Sequence, residues 1–349
     1  MKKSLLATTA LAALGAVAVA SPASAKFDVT VKGYMEQWFG YSDNADTVAA
    51  DSDVFDSFSD SEFFIGFSQT LDNGIKVGGE IQVEGQQGSG ESIDEQYIYL
   101  SGSFGRLEIG TDNGAPYRMH YGVTSKGVGI DEGDVSAWVS GASGALRRTS
   151  LTTAIDNDAN KITYFSPRIN GFQVGATYMP ESNDVNTRNG AGAGKENDGN
   201  RDNGWGVAAN YMTNVADMSV KASIGFMDAG EDIAVNTNET ALSAGVKLGF
   251  GGFEASLAYG EHNNAGVTDT NTFGVGLAYS AGPAGVSIAY IRGEDSDADS
   301  DQDNFELGAS YKVGPGVTAK SSIYYVERQT AGASAADGIA VVGGLALSF

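Results

Sequence analysis

Between Thr111 and Asn160 the chain gathers side chains able to act on a charged or polar solute. In order they are Pro116, Tyr117, Arg118, His120, Lys126, Asp131, Glu132, Asp134, Trp138, Arg147 and Arg148. Carboxylates and guanidiniums in one stretch can hold each other through charge-assisted hydrogen bonds, or present opposed charges to whatever passes between them. Covalent chemistry is poorly served. The only histidines are His120 and His262, there is no cysteine, and no serine stands in a nucleophile context. A Ser–His–acid site is therefore a minor alternative. Gly190 to Lys195 is Gly-rich and ends in lysine, but Glu196 occupies the place where a phosphate-cradling loop needs Ser or Thr.

A second cluster alternates carboxylates: Asp295, Asp297, Asp299, Asp301 and Asp303. Hard oxygen donors at this density make candidate Ca²⁺ ligands. The EF-hand pattern is not met, because no Gly stands at its sixth position and no Glu at its twelfth. A solvated acidic loop that concentrates cations is the simpler expectation.

The elements that must position these groups are strands. Phe27, Val29 and Val31 alternate with Asp28, Thr30 and Lys32, and the same parity returns in Phe63-Ile65-Phe67 and in Ile75 through Val83. A period of two describes a strand with two different faces. Sixteen such segments run at about 26–41, 61–71, 75–86, 94–102, 104–111, 161–167, 172–180, 205–212, 218–229, 239–250, 253–263, 270–281, 286–294, 304–313, 317–329 and 337–349. Their connections alternate between short, such as Asp72-Asn73-Gly74 and Gly251-Gly252, and long and polar, such as 181–203 and 295–303. An even count with short turns at one end predicts an all-β, antiparallel, up-and-down transmembrane β-barrel of 16 strands. The interruption at 111–160 is then a loop too long to be a mere connection.

Bulk composition agrees. Lys2 and Lys3, the apolar run Leu5–Ala20 and Ala23-Ser24-Ala25 read as a cleaved secretory signal peptide over 1–25, leaving 26–349 as one barrel domain. The formal net charge of −23 argues against nucleic acid as a partner, since that binding needs Lys and Arg to neutralise phosphates. The apolar-parity face, followed through Trp205, Val207, Leu242, Val246, Phe305, Leu307, Ile339 and Val341, is expected to be free of charge. Lys or Arg there would cost roughly 2–4 kcal/mol at the bilayer midplane. The opposite face carries Lys32, Glu36, Lys76, Glu80, Lys221, Lys247, Glu254, Glu306, Lys312 and Lys320, so the interior is wet. The aromatics fall at two heights, as girdles at two membrane interfaces would.

Three stretches carry a family resemblance. Tyr97 to Gly110 contains two alternating runs joined at Phe104-Gly105, Asn160 to Pro167 is followed by Asn170-Gly171-Phe172, and the chain ends in Phe349 on an alternating strand. In these the sequence resembles the bacterial general porins of the Gram-negative outer membrane. The resemblance implies a homotrimer of 16-stranded barrels, a third loop (111–160) folded into the lumen as a constriction, and passive diffusion of small hydrophilic solutes without a cofactor. It also implies lipid and lipopolysaccharide as surroundings and recognition of Phe349 by the barrel-assembly machinery. Thr111 departs from the family, which often has Arg after the Gly ending the fifth strand.

For the constriction, loop acids Asp131, Glu132 and Asp134 are expected to face wall bases among Lys32, Lys76, Lys221, Lys247 and Lys320. Arg118, Arg147 and Arg148 serve either the pore or the anchoring of the loop. Opposed charges across a narrow wet passage orient solutes and bias ion selection. The acidic total predicts a weak cation preference. A channel specific for sugar or phosphate is the first alternative, and an outer-membrane barrel hydrolase the second.

Overall fold

The computed structural model describes residues 27–44, 54–85, 93–131, 135–139, 142, 145–150, 155, 159–181, 201–232, 237–264, 268–332 and 336–349. Sixteen strands form one closed antiparallel barrel in which each is bonded to its sequence neighbours and β1 is bonded to β16. They are β1 (Asp28–Asn44), β2 (Val54–Thr70), β3 (Lys76–Glu84), β4 (Ile93–Gly102), β5 (Gly105–Thr111), β6 (Asn160–Phe165), β7 (Phe172–Glu181) and β8 (Asp202–Val215). The second half comprises β9 (Met218–Asp232), β10 (Thr237–Phe250), β11 (Phe253–Asn264), β12 (Thr268–Ala281), β13 (Ala284–Asp295), β14 (Ser300–Gly314), β15 (Val317–Thr330) and β16 (Ala336–Ser348). Two short helices, α1 (Ala115–Arg118) and α2 (Val135–Trp138), and a 3₁₀ turn (Ala145–Arg147) lie between β5 and β6.

The seam is closed by backbone as well as by side chains. The Gly33 amide donates to the Phe349 carbonyl at 3.0 Å, and the Phe349 amide returns to the Gly33 carbonyl at 3.1 Å. The Phe349 ring lies over Gly33, where a Cβ would stand 2.8 Å from its Cζ, and is 5.8 Å from Phe63. Closure leaves no strand edge, which is the condition for a sheet to cross hydrocarbon. The two-residue turn Gly251-Gly252 has φ of +57° and +87°, the left-handed pair that a tight hairpin requires and that glycine adopts without strain.

The outward face is the apolar one. Val29, Leu248, Leu257, Ile288 and Leu307 are exposed while their sequence neighbours point inward. Aromatic contacts mark both heights. Phe172–Tyr211 at 4.4 Å and Phe253–Tyr279 at 4.5 Å lie near the short turns, and Trp205–Phe226 at 5.5 Å and Tyr290–Phe305 at 4.7 Å near the other end.

Three expectations need correction. The outward face is free of charge only as far as the second girdle. Beyond it, Glu261, Arg292, Glu294 and Glu327 continue the outward parity, and Tyr259 donates to Glu261 at 3.1 Å. Strands that outrun the apolar layer enter water, where charge carries no penalty. Second, β2 begins at Val54, seven residues before 61. Tyr41 stands opposite Phe55 and continues the outward apolar face upward, so the β1–β2 wall is taller than the alternation of 61–71 suggests. Third, 295–303 is no long loop. Residues 296–299 form a tight turn, with Asp295 Oδ1 accepting the amides of Asp297 and Ala298 at 3.1 Å, and Asp301 and Asp303 belong to β14.

Candidate functional site

The segment between β5 and β6 runs inside the barrel, and its backbone rather than its charges decides where it lies. At its start, Arg118 bonds Glu108 and, at 2.7 Å, Asp112, and its guanidinium lies 4.8 Å over the Phe165 ring. Pro116, in the first turn of α1, lacks an N–H where none is needed. The Ala115 amide donates to Thr177 Oγ1 on β7 at 2.8 Å. Beneath this helix the wall has no side chain to obstruct it: a Cβ on Gly206 would stand 2.8 Å from Pro116.

From Tyr121 to Val128 the chain is extended and crosses the wall strand after strand. The amides of Tyr121, Thr124, Lys126 and Val128 donate to Ser223 (2.9 Å), Ser256 (2.8 Å), Ser287 (2.8 Å) and Ser322 (2.8 Å). These serines stand on β9, β11, β13 and β15. The step from 124 to 126 to 128 is the period of an extended chain, in which every second amide points the same way. The strands between supply glycine. A Cβ on Gly245 (β10) would lie 1.9 Å from the Tyr121 carbonyl, one on Gly276 (β12) 2.5 Å from that of Thr124, and one on Gly308 (β14) 2.4 Å from the Gly127 nitrogen. Hydroxyl and bare backbone thus alternate around the inner wall. The hydroxyls accept the loop's amides, which would be costly to bury unpaired, and the glycines leave room for its backbone.

The return leg is held by apolar contacts. Val135, Trp138 and Val139 pack with Val128 against Trp38, Tyr324, Val326, Ala340 and Val342 on the inner faces of β1, β15 and β16. Ile155 meets Met227, Ala229 and Ala241. Leu146 lies over Gly293, and Thr272 donates to the Arg148 carbonyl at 2.6 Å. Among the described residues the loop covers the inner wall from β7 round to β1. The inner faces of β2 and β3 keep Asp60, Glu62, Lys76, Glu80 and Glu84, and Asp94 lies within electrostatic reach of Glu62.

A cavity of about 740 Å³ lies between the loop and this acidic wall. Glu36 and Asp60 line it on the wall side, and Arg118, Lys126, Lys247 and Lys320 are its cations. Lys320 Nζ is 3.7 Å from Glu36 Oε1 and 5.9 Å from the Trp38 ring. Lys247 stands directly opposite Lys221 in the β9–β10 register, and Lys221 lies 5.9 Å over the Tyr121 ring.

The candidates named from sequence divide accordingly. Asp131 lines the cavity but is buried within the loop. Its carboxylate accepts the Val123 amide at 2.9 Å, and the amide (2.8 Å) and hydroxyl of Thr149, so it ties the outgoing leg to the returning one. Burial raises its pKa, and these hydrogen bonds oppose the rise. Asp112 is pushed up to about 6, chiefly by burial, with Arg118 pulling the other way. Arg147 is buried and reaches Ser136 at 3.3 Å and the Asp131 carbonyl at 3.5 Å, an anchoring position. Arg148 holds the wall through its carbonyl. Lys32 and Lys76 stand toward the short-turn end and do not line the cavity. Glu132 and Asp134 lie outside the described residues.

Of the acidic run, Asp301 and Asp303 flank Arg292 at 3.4 and 2.9 Å. Among the described residues no three His, Cys, Asp or Glu side chains converge on a point that would hold a metal ion. His262 Nε2 is 2.6 Å from Glu239, which also bonds Arg201, and His120 Nε2 is 3.5 Å from Thr149 Oγ1. The wall serines and glycines that seat the loop escape a search for charged candidates. Their signal is small residues, Ser or Gly, at inward parity on β9 to β15.

A family model for Gram-negative porins matches residues 7–331. No curated protein sequence matches significantly. Among solved structures, the chain is similar to an anion-selective porin from Comamonas acidovorans, with a TM-score of 0.67 and 15% identity over 93% of this chain and 100% of that one. A form of OmpT, an outer membrane protein of Vibrio cholerae, with loop L8 deleted gives 0.62 and 13% over 93% and 99%. A mutant Rh. blastica porin gives 0.54 and 16% over 92% and 100%. At these identities the likeness is one of fold.

Proposed function

Because the chain belongs to the Gram-negative porin family, its barrel is an outer-membrane channel, and we propose that small hydrophilic solutes and ions cross it by passive diffusion. The observation that carries this reading is the cavity of about 740 Å³ between the loop and the inner wall, with Glu36 and Asp60 on one side and Lys126 and Lys247 on the other. Because the described residues of the loop seat on eleven strands, from β7 round to β1, and leave the carboxylates of β2 and β3 uncovered, the passage is eccentric and its acidic side is wall. The field runs between the wall carboxylates Glu36 and Asp60 and the lysines Lys126 of the loop and Lys247 of the wall. Opposed charge of this kind orients a dipolar solute without any covalent step.

The wall acids Glu36, Asp60, Glu62 and Glu84, with the net charge of −23, support a weak cation preference. The Comamonas porin is described as anion-selective, so selectivity must be measured on this chain. In this reading residues 1–25 are the cleaved leader and the channel is a homotrimer. Outer-membrane lipid and lipopolysaccharide surround it, and the assembly machinery reads Phe349. No cofactor takes part, the acidic run 295–303 acts as a solvated surface without Ca²⁺, and the protein is not an enzyme. Reversal potentials in planar bilayers under a KCl gradient test the selectivity, and clear anion preference would overturn it. The absence of conductance steps would overturn the channel itself.

A further inference from the structure

Among the described residues, some cations of this barrel are ion-paired and others, Lys32, Lys76 and Lys312 among them, are not. Arg106, Arg118, Arg201, Arg292 and Lys320 each lie within ion-pair distance of a carboxylate. Lys126, Lys221 and Lys247 do not, although they converge. Lys221 and Lys247 face each other across adjacent strands, and both Lys221 and Lys126 lie within electrostatic reach of Lys247. Directly opposed residues on one face of an antiparallel pair have Cβ atoms about 5 Å apart, and like charges so placed destabilise the sheet.

Two carboxylates stand within electrostatic reach of Lys247, and each already accepts a hydrogen bond from the loop. Asp131 has both oxygens turned to Val123 and Thr149, and Glu254 accepts from the Thr124 hydroxyl. Lys126 is also fixed in place, since its amide is held by Ser287 and its aliphatic stem lies along Gly285. The lysines therefore form a group of ammonium donors in which Lys126 and Lys247 line the main cavity, Lys126 also lines a second one of about 500 Å³, and Lys221 stands beside Lys247 on the adjacent strand.

Resting on the channel reading above, we propose that Lys126, Lys221 and Lys247 form a binding subsite for an oxyanion, carboxylate or phosphate, carried by a permeating solute. The acidic wall across the cavity gives a cationic end of the same solute an opposite place to lie.

The test is single-channel recording of the reconstituted full-length protein in dilute KCl, with disodium succinate or inorganic phosphate added to one side. The expected result is a saturable fall in KCl conductance. In Lys221→Gln/Lys247→Gln the half-blocking concentration rises about tenfold, as loss of a charge-assisted hydrogen bond implies, and in Lys32→Gln/Lys76→Gln it does not change. Block by succinate alone assigns the site to carboxylates, block by phosphate alone to phosphates, and block by both to either. Normal KCl steps with no block by either anion, or block unchanged in the Lys221/Lys247 variant, overturn the subsite and leave the channel standing. If KCl steps never appear, the channel reading and the subsite fall together.

Discussion

Ser322 Oγ accepts the Val128 amide at 2.8 Å and donates its own proton to Glu306 Oε1 at 2.6 Å. The same carboxylate oxygen accepts the Gly129 amide at 3.1 Å, and Tyr324 donates to the Gly129 carbonyl at 3.0 Å. Two strands of wall and two residues of loop thus share one buried polar network. Ser322→Ala leaves the Val128 amide buried without an acceptor, a loss of about 1–3 kcal/mol of local stability. The barrel, closed by its own ladders, is expected to fold unchanged. Open-channel current noise should increase, with little change in global melting by circular dichroism. Noise equal to that of the wild type would show that the other loop contacts suffice.

Gly245 has a different task. Its missing side chain is the space occupied by the Tyr121 carbonyl, 1.9 Å from where a Cβ would stand. In Gly245→Val the branched side chain must displace the loop toward the pore axis, at a cost of about 1–3 kcal/mol for overpacking. Single-channel conductance is expected to fall while the folded band on unheated gels persists. Gly314, where a Cβ would meet nothing within 4 Å, serves as the control position for conductance in Gly314→Ala.

The barrel was legible in the alternation, because hydrocarbon outside and water inside impose a period of two on every strand. All sixteen segments became strands, and the break after Thr111 became the inner loop. The loop's seat was not legible in the same way. Ser322 and Val128 are 194 residues apart, and a backbone amide donating to a serine imposes no pattern on the loop's own sequence. Asp131 illustrates the other limit. Its type suggests a pore-facing charge, yet Thr149, far along the chain, turns it into a tie between two legs of the loop. The tall β1–β2 wall was hidden because polar residues interrupt Val54–Asp60 once the strand rises beyond the apolar layer.

Asp112 provides a pH dependence. Burial lifts its pKa from 3.8 to about 6, so the folded protein binds this proton more tightly than the unfolded chain does. Stability from this group is therefore largest below its unfolded value and is lost as pH rises through about 6. The melting temperature of the detergent-solubilised protein should accordingly decline more steeply from pH 5 to pH 7 in the wild type than in Asp112→Asn. Parallel curves for the two proteins would show that Arg118 and Lys161 compensate the buried charge fully.

The acidic wall and the lysine group make opposite predictions for ion selection. Asp60 and Glu62 stand on a face that the loop leaves bare, and Lys221 and Lys247 stand on the far side of a 16-strand ring, seven or eight strands away. Removing one set leaves the other's field unopposed, because charges that far apart are screened over a Debye length of about 8 Å at physiological salt. Asp60→Asn/Glu62→Gln is thus expected to move the reversal potential under a KCl gradient toward the chloride limit, and Lys221→Gln/Lys247→Gln toward the potassium limit. The shifts should shrink in molar salt, where screening tightens to about 3 Å. Movement of both variants in the same direction would mean that selectivity is set elsewhere, and that neither wall nor lysine group faces the path of the ions.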